Sequence, residues 1–219
     1  MQTILITGAG TGLGKELALA YAKKGNTIIL TGRRFGPLEA VKEEIQSTGG
    51  KAFTYQMDVS NLEEVKQTVA GITAEHEVTF LLNNAGAGCF GSLTELAYEE
   101  IEIAIQTNLL GTIYLTKELL PHLLKKKSAK IMNIISTAGQ KGKINESVYV
   151  ASKFAVRGFT ESLQKELEGK VFVTATYMGG MDTPFWDETD HIKDKSRLRS
   201  PREVAEIIIS QDGELEVQV

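Results

Sequence analysis

The stretch TILITGAGTGLGKELALAYAKK, residues 3–24, passes from a short apolar run through a glycine loop into a helical pattern. Thr3–Thr7 is rich in β-branched residues and reads as a buried strand. Gly8, Gly12 and Gly14 then give G-x-x-x-G-x-G, with Gly10 as an extra glycine. Glycine permits the tight turn and the close approach of backbone to a pyrophosphate or to a neighbouring strand. A helix beginning there presents free N–H groups and its positive end to phosphate. An ordinary glycine-rich turn has a similar composition. The strand before it and the helix after it select a dinucleotide loop. It is not a Walker loop, because no Gly-Lys-Ser/Thr closes it.

The same alternation runs outward along the chain. Spacing predicts strands at 3–7, 27–31, 52–57, 78–82, 130–135, 171–177 and 214–219. Helices are expected at 12–24, 37–48, 62–74 behind an Asn61 cap, 98–126 with an interruption at Pro121, 147–168 and 201–210. Residues 179–200 read as irregular. Strand–helix alternation implies right-handed βαβ units, hence an α/β fold. The expected architecture is a doubly wound, parallel, seven-stranded Rossmann sheet in a three-layer αβα sandwich. The 219 residues suit one such domain, 1–219, rather than a dinucleotide domain plus a substrate domain.

Composition narrows the class. Apolar residues make up 42% and charged residues 24%, so a disordered or fibrous chain is excluded. The net charge of −4 argues against a nucleic-acid partner. Cys89 is the single cysteine, which excludes an internal disulfide and points to a reducing, cytoplasmic setting. It has no adjacent His and reads as a small buried hydrophobe. His76, His122 and His191 lack metal-ligand spacing, so no metal is expected. No apolar run reaches about 18 residues, so no membrane span is expected. The apolar start has no basic flank, the first Lys being Lys15, and reads as a strand rather than a signal peptide.

Strand two ends at Thr31-Gly32-Arg33-Arg34. An acidic residue here would bind a ribose 2′-OH, whereas Arg accepts a 2′-phosphate through its two-pronged fork. NADP is therefore expected over NAD. Asp58 suits the adenine amino group, or else begins an Asx turn. Tyr149 and Lys153 stand four apart in a predicted helix and share a face. A phenol with a pKa near 10 must shift by about 2–3 units to trade a proton at neutral pH, and a nearby ammonium favours the phenolate. Ser136, at the end of strand five, is placed to hold a substrate oxygen beside Tyr149.

With these residues the chain resembles the short-chain dehydrogenase/reductases of the compact, single-domain kind. The motifs occur in order over essentially the whole chain: TGAGTGLG at 7–14, DVS at 58–60, NNAG at 83–86, QTNLLG at 106–111, IIST at 134–137 and YVASK at 149–153. The resemblance implies Tyr149 as general acid/base, Lys153 as its activator and a ribose ligand, and Ser136 as the residue orienting the carbonyl. Asn108 would hold a local helix irregularity and a water beyond Lys153. Cofactor contacts are implied at Gly8, Thr11, Gly12, Leu13, Gly14, Arg33, Arg34, Asp58, Val59, Asn84, Ala85, Gly86, Tyr149, Lys153, Gly179, Met181 and Thr183. Two departures stand out. Met178 replaces the family's Pro after strand six, and Thr11 stands where many NADP-using relatives carry a basic residue.

The expected activity is hydride transfer between NADP, or NAD, and a small-molecule carbonyl or alcohol. The alternative is a dinucleotide-binding regulatory or scaffold protein with little turnover. Residues 182–199, with Phe185, Trp186 and His191, are expected to form a mobile lid, and residues 141–147 and Phe90 another wall. Because the chain stops near its last strand, this lid or a partner subunit is expected to close the pocket. By resemblance, helices about 98–126 and 147–168 would pair in a homodimer or homotetramer.

Overall fold

In a computed structural model, which describes residues 1–187, 189, 191, 192 and 194–219, seven strands alternate with seven α-helices. The strands are Thr3–Thr7 (β1), Thr27–Gly32 (β2), Lys51–Gln56 (β3), Phe80–Asn83 (β4), Ala129–Ile134 (β5), Val171–Tyr177 (β6) and Glu216–Gln218 (β7). The helices are Gly12–Lys23 (α1), Phe35–Ser47 (α2), Leu62–Glu75 (α3), Tyr98–Ile105 (α4), Gly111–Leu123 (α5), Ser147–Glu166 (α6) and Pro201–Ser210 (α7). All strands run parallel, in the order β3-β2-β1-β4-β5-β6-β7.

The apolar runs are continuous because helices cover both faces of the sheet. Ile4 and Ile6 of β1, with Ile28 and Leu30 of β2, pack under α1, α2 and α7. Leu5 and Ile29, one residue out of phase, pack with α3, α5 and α6 on the opposite face. Register carries the glycine loop into the crevice between β1 and β4, where the strand order reverses (Ile4 pairs with both Ile28 of the Thr3-to-Thr27 ladder's next step and Phe80). A buried polar brace crosses the centre. Asn83 Nδ2 donates to Asn133 Oδ1 (2.8 Å) and Thr116 Oγ1 (3.1 Å), and Asn133 Nδ2 donates to Thr160 Oγ1 (2.9 Å). These bonds fix β4 and β5 against α5 and α6.

Two sequence expectations are corrected. Pro121 does not interrupt its helix, which continues to Leu123. It lies near the end of α5, where its ring forfeits a single ladder bond, and fully buried Leu119 and Leu123 hold the turn against the core. A π-helical turn over Gln106–Leu110, which contains Asn108, separates α4 from α5. The last strand is also shorter than 214–219, pairing with β6 over Glu216–Gln218. Among the described residues no helix is long and apolar enough to cross a membrane.

Candidate active site

The carboxyl ends of β1 to β6 deliver the expected residues to one rim of the sheet, where open α/β folds bind ligands. At the first end, Gly8 and Gly12 adopt φ of +62° and +55°. A Cβ on Gly14 would stand 2.3 Å from the Gly8 carbonyl oxygen, so only glycine lets α1 sit this close to the strand. The start of α1 has no side-chain cap and no acidic residue in its first turn. By contrast, Asn61 caps α3 and Glu63 and Glu64 follow it. The α1 amides are thus left for an anion. Leu13 is buried in the core beneath this turn. Thr183 closes on the loop from the other side, since a Cβ on Gly12 would meet its methyl at 3.2 Å.

Arg33 is exposed at the end of β2 and lines a surface cavity of about 270 Å³ with Asp58, Ser60, Glu99, Glu102 and Gln106. Arg34 precedes α2 and lies outside that lining. Asp58 does form the Asx turn: its Oδ1 accepts from Ser60 N (2.9 Å) and Ser60 Oγ (2.7 Å). Val59 is buried and packs where α5 begins, against Gly111. Asn84 turns inward, its amide donating to the carbonyls of Thr7 (2.9 Å) and Gly8 (3.3 Å). The backbone N–H groups of Asn84 and Ala85 both donate to Thr7 Oγ1 at 2.9 Å. These contacts weld β4 to the glycine loop.

Ser136, Tyr149, Lys153 and Asn108 converge. Tyr149 and Lys153 lie on the buried face of α6, at 6% and 5% exposure. The Ser136 hydroxyl stands beside the Tyr149 phenol, close enough to draw its pKa down. Lys153 Nζ donates to the Ile134 carbonyl (3.1 Å) and stands 5.8 Å from the centre of the Tyr149 ring. Gly86 makes room here: a Cβ on it would lie 3.3 Å from Asn108 Oδ1 and 3.8 Å from Lys153 Nζ. Asn108 occupies the π turn and pairs reciprocally with Ala87, accepting from its N–H (2.7 Å) and donating to its carbonyl (2.9 Å). Such turns recur at functional sites because they re-aim a side chain out of helical register.

Burial dominates the electrostatics. It pushes the Tyr149 phenol above its ordinary pKa; the Ser136 hydroxyl opposes this, and the nearby Glu146 carboxylate adds to it. Burial pushes the Lys153 ammonium down to about 8. In the protein alone, desolvation therefore outweighs the expected lowering of the phenol by the ammonium.

The backbone at Ser136 is unusual. It has φ 98° and ψ 153°, a region that side-chain-bearing residues rarely enter. Its Oγ also accepts from Ala138 N (3.2 Å), beginning the short 3₁₀ turn Thr137–Gly139. Strain of this kind is held at sites where a side chain must point one way.

An aromatic wall stands over Tyr149. Phe90 lies 5.2 Å from its ring and Phe185 6.0 Å. Trp186 and His191 stack on Phe90 at 5.1 and 4.7 Å. Their segment is pinched at its base, where Met181 bridges Arg199 and Asp182 N donates to Arg199 O (3.0 Å). The Met181 carbonyl accepts from Trp186 Nε1 (2.9 Å), while Gly179 is open to its surroundings. Glu188, Asp190 and Lys193 of the expected lid lie outside the described residues. Cys89 is buried beside Ala104 and Val148, as its lack of partners suggested.

Sequence reasoning missed Ser152 and Glu146. Ser152 is fully buried and accepts from Asn108 Nδ2 (3.0 Å). Glu146 is buried and meets His191 Nε2 at 3.0 Å. A polar residue in a helix ordinarily reads as surface, and the small residue beside a Tyr-Lys pair was the available signal.

Comparison with known proteins agrees with this geometry. The family model described as short chain dehydrogenase matches residues 2–194. Sepiapterin reductase of Chlorobaculum tepidum is 30% identical over 215 residues, covering 94% of this chain and 88% of that protein. Fatty acyl-CoA reductase of Acinetobacter baylyi is 34% identical over 212 residues, covering 95% of this chain and 72% of that one. The crystal structure of an alcohol dehydrogenase from the archaeon Thermococcus sibiricus, complexed with 5-hydroxy-NADP, superposes with a TM-score of 0.91 at 28% identity. That match covers 100% of this chain and 96% of the other.

Proposed function

This chain belongs to the short-chain dehydrogenase family, an NAD(P)-dependent oxidoreductase family, and from that premise we propose that it interconverts a carbonyl and an alcohol with Tyr149 as general acid/base. The observation that carries this reading is the convergence of Ser136, Tyr149 and Lys153 in one buried site beside the glycine loop. The residues fit a dinucleotide. The uncapped start of α1 and the absence of room for side chains at Gly8 and Gly14 make a phosphate cradle from Gly8 to Gly14, including Thr11. Arg33 would meet the adenosine end, Gly86 and Lys153 the nicotinamide ribose, and Gly179, Met181 and Thr183 the nicotinamide. A bound nicotinamide supplies or accepts the hydride.

The protein's own groups handle the rest. Ser136 acts on the phenol from beside it, and the pair so marks where a substrate oxygen docks between the two hydroxyls. Tyr149 then passes its proton to that oxygen during reduction, or takes it during oxidation. A raised phenol pKa keeps the proton in place until added positive charge draws it down. Lys153, its Nζ 5.8 Å from the Tyr149 ring centre, is positioned to act on the phenol together with the positive charge of an oxidised nicotinamide when one is bound. The aromatic wall excludes water and favours an apolar substrate body.

NADP is the preferred cofactor in this reading. Arg33 supports it, being exposed and without an ion pair among the described residues. Glu99 and Glu102 line the same cavity, so the preference rests on direct contact with a 2′-phosphate rather than on the cavity's net field. We read 1–219 as one unit with a substrate lid over 182–199. Exposed Tyr98 and Ile103 of α4 and Phe154 of α6 support pairing of these helices in a homodimer or homotetramer. The buried free thiol of Cys89 supports a cytoplasmic setting.

A panel of ketones, aldehydes and alcohols with NADPH and NADP tests the activity. Tyr149→Phe should lower turnover by at least about 10³-fold with the fold intact. Undiminished turnover would exclude the mechanism. Arg33→Ala should weaken NADP by about tenfold or more while leaving NAD binding unchanged.

A further inference from the structure

Glu146 immediately precedes α6, three residues before Tyr149, and its side chain is only 9% exposed. A carboxylate so buried needs polar partners in place of water, and each of its oxygens has one. Oε1 lies 3.0 Å from His191 Nε2, and Oε2 lies 3.7 Å from Lys143 Nζ. His191 comes from the segment that leaves the sheet after β6. Its ring lies nearly parallel to Phe90 (4.7 Å, 10°) and to Trp186 (6.3 Å, 17°). Phe90 in turn contacts Tyr149. The near side of the segment is tied to its base through the Met181–Arg199 bridge and the Trp186–Met181 hydrogen bond. On the far side, Glu146 is the anchor that reaches back to the helix bearing Tyr149.

We propose that Glu146 is a lid-positioning residue: by holding His191 it seats the Phe90–Trp186 ring wall against Tyr149 and sets the acceptor side of the site. Without the carboxylate, the described contacts left to the His191 ring are its stacks on Phe90 and Trp186, with Thr189 Oγ1 holding only its backbone N–H (3.1 Å), and stacking alone permits the rings to slide. Lys143 steadies the carboxylate from the preceding loop, so the anchor is itself fixed. The effect on turnover rests on the reading of Tyr149 given above, whereas the anchoring itself does not.

Trp186 is the chain's single tryptophan, so its emission reports the wall directly. The test is acrylamide quenching of the full chain without cofactor, with circular dichroism and thermal melting to check the fold. Glu146→Ala and His191→Ala should each raise the quenching constant about twofold or more. Because both break one contact, the double variant should show no further rise. Glu146→Gln keeps an acceptor for the imidazole and should quench like the parent. Unchanged quenching in Glu146→Ala, or additive increases in the double variant, overturns the proposal. If Glu146→Ala does not fold, His191→Ala decides, since His191 lies outside the core; parental quenching there overturns it equally. Intact turnover in Tyr149→Phe would remove the catalytic reading and leave the quenching result standing.

Discussion

Asn108 Nδ2 donates to Ser152 Oγ across 3.0 Å, joining the π turn before α5 to the helix that carries Tyr149 and Lys153. Ser152 Oγ passes the connection on, donating to the Tyr149 carbonyl at 2.7 Å. Both side chains are essentially sealed from water. The backbone position of Tyr149 is therefore braced by an amide from another part of the chain.

Ser152→Ala should cost about 1–2 kcal/mol, since it leaves one Asn108 donor dry. Asn108→Ala should cost more, about 2–4 kcal/mol, because the Ala87 N–H and carbonyl also lose their partners. In a double-mutant cycle by urea unfolding, the two should couple by about 1 kcal/mol. Independent effects would show that the brace is not one unit.

Ser136 offers a separation of stability from activity. Glycine tolerates φ near +98°, whereas alanine does not. Both Ser136→Gly and Ser136→Ala lose the hydroxyl that meets Tyr149 and Ala138 N. Ser136→Gly should therefore be more stable than Ser136→Ala by about 1–2 kcal/mol. Turnover should fall in both by about 10²-fold or more. Equal stabilities in thermal melts would mean that the backbone is not strained.

Lys153 predicts a pH dependence. Its folded pKa, about 8, lies below the ordinary lysine value of 10.5. Between those values the unfolded chain holds more protons, so stability from this group rises with pH. It is present in full above 10.5 and is lost as pH falls through 8. Lys153→Met removes the buried cation. The variant should exceed the parent in stability by about 2–3 kcal/mol below pH 8. That gap should close as pH approaches 10.5, and the variant should lack turnover throughout. A pH-independent gap in unfolding free energy would argue against a desolvated ammonium.

The legible parts of the sequence were those with local signatures. Strand, glycine loop and helix follow one another within residues 3–24, and the i,i+4 spacing put Tyr149 and Lys153 on one face. Ser152 shares that face but carries no chemistry of its own. Its meaning arises only when the π turn is packed against α6, a contact between residues 44 apart. Glu146 is a comparable case, since its partner is 45 residues away in a segment without regular pattern. Strain at Ser136 is invisible too, because the residue type is the wrong one for its backbone. Pro121 misled in the opposite sense: its local rule was right, but burial of its neighbours outweighed it.

Gly14 gives the sharpest steric prediction. A Cβ there would sit 2.3 Å from the Gly8 carbonyl oxygen, 2.9 Å from its carbonyl carbon and 2.6 Å from the Asn84 amide. Two of these neighbours are backbone atoms of the glycine loop and cannot rotate away. Gly14→Ala must push α1 off the strand or distort the loop, and should cost about 2–4 kcal/mol. Dinucleotide affinity should fall with it, because the α1 amides move. Gly71 of α3 is the control, with nothing within 4 Å of an added Cβ and no positive φ. Gly71→Ala should leave cofactor affinity unchanged and raise stability by up to about 1 kcal/mol through helix propensity. Chemical unfolding and cofactor titration of both variants measure the two effects. If Gly14→Ala matches Gly71→Ala in both, the close approach of loop and helix is not what positions the cofactor site.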